Sequence, residues 1–100
     1  MCLVTKNWRC KIGEIDLIMR DGETMVFVEV RLRRKTQYGT GHETVGRDKI
    51  RKLINTARSY QQKKNYWGHA RFDVISIEMD EGGNMELEHI KDAFEVRDSF

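Results

Sequence analysis

Glu14, Asp16 and Glu29 place three carboxylates within sixteen residues, and Arg31 follows Glu29 by two positions. Oxygen ligands without Cys or His suit Mg²⁺ or Mn²⁺, which use one or two carboxylates and keep waters for a substrate phosphate. Such a cation polarises phosphate and activates water. The chemistry these residue types point to is therefore phosphoryl transfer to water.

The elements that must position them read as a hairpin. Residues Glu14 to Arg20 alternate around Ile15, Leu17 and Met19, and Thr24 to Leu32 alternate around Val26, Val28, Val30 and Leu32, the period of strands. Asp21-Gly22 is a strong two-residue turn signal. That turn predicts pairs Arg20–Glu23, Ile18–Met25, Asp16–Phe27 and Glu14–Glu29. Glu14, Asp16, Glu29 and Arg31 then leave one face of the sheet, and Ile15, Leu17, Val26, Val28 and Val30 the other. Like charges directly across a strand pair are destabilising, so Glu14 opposite Glu29 needs a reason. A divalent cation is one. The alternative is solvated acids on an exposed face, one neutralised by Arg31.

Around the hairpin the chain reads β-β-β-α-β-β. Leu3 to Trp8 is a weak strand, Arg71 to Met79 and Met85 to Ile90 are strands joined by a turn at Glu81-Gly82-Gly83-Asn84, and 36–42 reads as loop. Thr44 is the expected helix cap, and Ile50, Leu53, Ile54, Ala57 and Gln61 form one helical stripe ending near Asn65, with Gly68 marking the break. A helix between two strands implies a parallel, right-handed crossover. The expected fold is α/β (α+β): a mixed central sheet of about five strands with one long helix on its apolar face, as a single domain over 1–100.

The net charge of +2 conceals blocks of +3 (1–13), −4 (14–30), +10 (31–71) and −7 (72–100). The basic block attracts polyanions, because each Lys or Arg near a phosphate releases counterions. Arg47, Arg51 and Arg58 flank the apolar stripe on one side, and Lys49, Lys52 and Lys63 on the other. With Arg33, Arg34 and Lys35 they can track a phosphate backbone, making DNA the expected partner, or form a solvated face. Tyr38 reads as a half-buried loop aromatic or a stacking residue, His42 has no visible partner, and Trp8, Phe27 and Phe72 read as packing residues. Asp73 suits a pair with Arg71. The longest apolar run, Met25 to Val28, is far below the roughly 18 residues of a membrane span. Cys2 and Cys10 form no CxxC and read as reduced cytosolic thiols, and the expected location is cytoplasmic.

Four blocks, Gly13 to Ile18 (GEIDLI), Val26 to Arg31 (VFVEVR), Thr44 to Lys49 (TVGRDK) and Arg71 to Val74 (RFDV), together resemble the YraN-like family. That family looks like a branch of the PD-(D/E)xK restriction-endonuclease-like fold, related to archaeal Holliday-junction resolvases. The resemblance runs from about residue 6 to residue 94. It implies a motif Asp at Asp16, the acid of an E-x-K element at Glu29, and Arg31 in the place of its Lys. It also implies a metal-ligating carbonyl at Val30 and a basic residue facing the site at Lys49. A guanidinium is no general base, but it can stabilise charge developing on phosphate. Members of that family usually begin with a helix ahead of the segment matching Asn7-Trp8-Arg9, and the domain expected over 1–100 does without it.

The leading expectation is a cytoplasmic Mg²⁺- or Mn²⁺-dependent endonuclease-like protein hydrolysing phosphodiesters in DNA, branched or damaged DNA included. Asp16, Glu29, Arg31 and Glu14 would be its catalytic set, and Asp16, Glu29 and Val30 its metal ligands. The alternatives are a nucleic-acid-binding module of the same fold that no longer cuts, and an interaction protein whose open sheet makes a homodimer.

Overall fold

A computed structural model describes residues 1–34, 46–66 and 68–94. Strands β1 (Cys2–Arg9), β2 (Glu14–Asp21) and β3 (Thr24–Arg34) precede helix α1 (Arg47–Lys64), and β4 (Ala70–Met79) and β5 (Met85–Phe94) follow it. They form one five-stranded sheet in the order β1-β2-β3-β4-β5. Only β3 and β4 pair in parallel, across the helical connection, as the order of elements predicts. The expected mixed α+β architecture is the observed one.

The hairpin register differs from the expected one. Asp21 pairs with Thr24, Arg20 with Met25, Ile18 with Phe27 and Leu17 with Val28, so the loop is Gly22-Glu23. Gly22 has φ 61° while Glu23 is not among the positive-φ residues, the pattern of a type II′ turn with Gly first. Reading Asp21-Gly22 as the loop placed the glycine second. The shift of one turn position leaves face parity intact but moves every partner by two: Asp16 does not face Phe27, and Glu14 does not face Glu29.

The covered face also differs. Helix α1 lays Leu53, Ile54, Ala57 and Tyr60 onto Ile15, Ile18, Met25, Phe27 and Phe72, in one buried cluster. Ile18, Phe27, Phe72 and Phe94 are successive partners in one row across four strands. Rings continue that row: Phe72 stacks between Phe27 and Phe94, and Tyr60 meets Phe27 and Trp8 edge-on. The helix thus covers the Met25/Phe27 side of β3, which by alternation is also the side of Glu29 and Arg31. Val26 and Val28, expected beneath the helix, are buried on the opposite face.

Ile15 and Ile18 both join the cluster although three residues apart, so β2 breaks its alternation at Asp16 and Leu17. Asn7, at φ 52°, lies between Lys6 and Trp8, which face Leu17 and Ile15, and so stands across from Asp16 where that break occurs. At the start of α1 the N-cap is Gly46, without a side-chain cap, and the expected cap Thr44 lies outside the described residues. The helix closes in a Schellman motif, with Asn65 at φ 52° and Tyr66 N–H donating to the Gln61 carbonyl at 2.9 Å. Chain direction thus changes at Asn65, before Gly68.

The face opposite α1 carries an apolar row, Leu32, Ile77 and Leu87, in which Leu32 is 68% and Leu87 66% exposed. Among the described residues no helix is long and apolar enough to cross a membrane.

Candidate functional site

The site forms where β2 and β3 separate. Their ladder is regular as far as Leu17–Val28; beyond it the Val30 amide donates to Asp16 Oδ2 at 2.9 Å instead of to a main-chain carbonyl. Backbone from β3 therefore aims a side chain of β2. Glu29 stands beside it, at the margin of an apolar hollow lined by Ile15, Phe27, Leu53, Phe72 and Phe94. From the first turn of α1, Lys49 reaches across so that its Nζ lies 2.7 Å from Glu29 Oε1.

Burial pushes the Glu29 carboxyl above the usual carboxylate range; Lys49 pulls it down, and the Asp16 carboxylate, by charge and hydrogen bonding, pushes it further up. Repulsion and desolvation prevail. A carboxylate pair with one ammonium retains a net negative charge, which attracts a divalent cation. Mg²⁺ needs no more than two carboxylates with waters filling its octahedron, so Asp16 and Glu29 fit such an ion. In a strand the N–H and carbonyl of one residue leave by the same edge, so the Val30 carbonyl lies on the side where its amide meets Asp16. Among the described residues no group of three or more His, Cys, Asp or Glu side chains gathers at one point.

The other expected residues distribute unevenly. Glu14 pairs with Arg9 of β1, Nε to Oε2 3.3 Å, and is drawn toward the sheet edge. Arg31 shares the Glu29 side of β3, next to Ser76 and, beyond it, Glu88. Arg33 lies on that side too, but in a row with Glu78 and Glu86, so acids flank its charge. Arg34 belongs to the opposite face, in a row with Met79 and Met85. On α1, Arg47, Arg51 and Lys52 are exposed. Lys52 runs along Gly13, where an added Cβ would lie 3.5 Å from its Cγ and Cε, and so it shares with Lys49 the flank toward β2. Lys35, Tyr38 and His42 lie outside the described residues.

The expected Arg71–Asp73 pair is present and belongs to a second polar cluster, on the face opposite α1, whose other members sequence reasoning missed. The Asp73 side chain is fully buried and accepts from Arg71 Nε at 3.1 Å and from the Asp92 amide at 3.0 Å, with His89 Nε2 at 2.7 Å. Arg71 also donates to Asp21 at 2.9 Å. Burial alone would raise the Asp73 carboxyl; Arg71, the Asp92 amide and His89 outweigh it and hold it below the usual range. The signal available was the Arg71-x-Asp73 spacing, which puts both on one strand face; His89 and Asp92 depended on the β5 register.

The model of the uncharacterised protein family UPF0102 matches residues 1–77. A UPF0102 protein of Pseudomonas syringae is 45% identical over 95 residues, covering 93% of this chain and 77% of its own. Those of Nitrosospira multiformis (43% over 96 residues, 96% and 79% covered) and Geotalea daltonii (45% over 95 residues, 94% and 75% covered) are similar to the same extent.

Proposed function

Taking as premise that this chain belongs to the uncharacterised protein family UPF0102, we propose that it is a Mg²⁺- or Mn²⁺-dependent DNA endonuclease of the PD-(D/E)xK type, acting in the cytoplasm. The observation that carries this reading is the meeting of Asp16, Glu29 and Lys49 where β2 and β3 separate. Bound there, a divalent cation would polarise a phosphate and lower the pKa of a water. The protein's own residues supply the rest: the Val30 amide fixes Asp16, the hollow beside Glu29 keeps its carboxylate poorly solvated, and Arg31 offers charge toward a phosphate developing negative character. Lys49 and Lys52 extend positive charge from the site along α1.

A purified preparation incubated with plasmid and with four-way junction DNA tests the proposal. Cleavage is expected in Mg²⁺ or Mn²⁺ and not in EDTA, and Asp16→Ala or Glu29→Ala should abolish it while DNA binding survives. Arg31→Lys should preserve or raise the rate. Cleavage by Asp16→Ala at the parent rate overturns the site.

A second reading, a module that binds DNA without cutting, is favoured by one feature: Arg31 occupies the position of the usual Lys and cannot take a proton. It predicts salt-dependent binding with no cleavage in any divalent cation. For assembly, the Leu32–Ile77–Leu87 row, exposed at Leu32 and Leu87, supports a homodimer joined through that face. Sedimentation at high concentration tests it, and a stable monomer refutes it.

A further inference from the structure

We infer that Lys49 is the resident counterion of Glu29, displaced when a divalent cation enters and then free to engage a phosphate of the nucleic acid. This rests on the metal-site reading above and adds to it an order of events.

Three observations converge on Lys49. Its Nζ lies 2.7 Å from Glu29 Oε1, so the ammonium occupies the position from which a cation would draw charge. Its side chain is 53% exposed while that of Glu29 is 11% exposed, so the lysine can swing to solvent and the carboxylate cannot. Lys49 is also the third residue of α1, where the helix dipole opposes a positive charge, an effect that the neighbouring Asp48 tempers. An ammonium in that place needs an anion. Glu29 is that anion now; once a cation takes up the charge of Glu29, a phosphate is the next one. Helix N-termini accept phosphate through their free amides, so the released ammonium and those amides would act on the same group.

The arrangement also separates two roles a lysine could hold. A lysine serving only to bind DNA would leave cation affinity unchanged when removed, whereas a counterion competes with the cation for the same carboxylate. Cation and DNA would then favour each other's binding, and by linkage each would do so by the same factor.

The test measures Mn²⁺ binding by electron paramagnetic resonance, and duplex DNA affinity with and without Ca²⁺, for the parent, Lys49→Met and Asp16→Asn. Circular dichroism confirms that each is folded. Lys49→Met should bind Mn²⁺ about tenfold or more tightly than the parent, and Asp16→Asn should lose binding. Ca²⁺ should raise the parent's DNA affinity more than that of Lys49→Met. Mn²⁺ binding to parent and Lys49→Met with equal affinity, or an equal Ca²⁺ effect on both, overturns the counterion role and leaves the metal site standing. No Mn²⁺ binding to folded parent or to folded Lys49→Met overturns the metal site itself and the counterion role with it.

Discussion

The main-chain amide of Val30 donates to Asp16 Oδ2 at 2.9 Å, so a carboxylate on one strand is aimed by the backbone of the next. Fixing it this way removes rotamer freedom before any ligand arrives, the preorganisation a binding site requires. Glu29, its neighbour, is held at a cost to folding, and that cost is measurable.

Because the folded protein raises the Glu29 carboxyl, its ionisation destabilises the fold. Below the unfolded value, about 4.3, both states are protonated and no penalty exists. The penalty grows as pH rises through the folded value and is complete above it. Glu29→Gln should therefore melt higher than the parent at pH 7, with the difference closing below about pH 4. Thermal unfolding across pH checks this, and a lower melting temperature for Glu29→Gln at pH 7 would contradict it.

Asp73 has the opposite sign. Its folded value is depressed, so its contribution is fully present above the unfolded value of about 3.9 and is lost as pH falls through the folded one. Asp73→Asn leaves Arg71 and His89 facing an amide in a buried site, and should cost about 3 kcal/mol in urea unfolding at pH 7. The gap between parent and variant should narrow as the solution is taken from pH 5 toward about pH 2.

Gly13 marks a close approach of β2 to the helix. A Cβ there would sit 2.9 Å from Thr56 Oγ1, and that hydroxyl is fixed by donating to the Lys52 carbonyl at 2.7 Å. Gly13→Ala should destabilise by about 1–3 kcal/mol. Adding Thr56→Ala should recover part of the loss, a coupling that a double-mutant cycle measures.

For DNA binding, Lys52→Ala should weaken affinity more than Arg51→Ala, because Lys52 lies on the flank that Lys49 turns toward Glu29. Each phosphate contact removed should reduce the log-log salt slope by about 0.9 on duplex DNA. Titration between about 50 and 200 mM salt reads this, and equal, salt-independent binding by parent and both variants would leave only a solvated helix face.

Much of this was legible in the sequence. Alternation located β2 and β3, and the spacing of Ile50, Leu53, Ile54 and Ala57 located α1. What it could not reveal was which side of β3 the helix takes. Met25, Val26, Phe27 and Val28 are all buried, so β3 is covered on both faces and its alternation does not say which face the helix takes. The hairpin register turned on where in the loop Gly22 falls, a matter of its φ rather than of composition. Asp16 and Glu29 lie together despite the different register because the Val30 amide draws the Asp16 side chain to β3 where the β2 alternation breaks. Of the three partners of Asp73, Arg71 was legible two residues away on the same strand, whereas His89 and the Asp92 amide come from β5 and depended on its register, which slips opposite Phe72 and Val74.

Both margins of the sheet are interrupted. On β1 the pairing slips between Leu3 and Thr5, and Asn7 adopts φ 52°; on β5 it slips opposite Phe72 and Val74, and Asp92 adopts φ 51°. A straight incoming strand would find neither border in register for more than a few residues. The kinks thus act as terminators, a geometry that works against lateral growth of the sheet into fibrils.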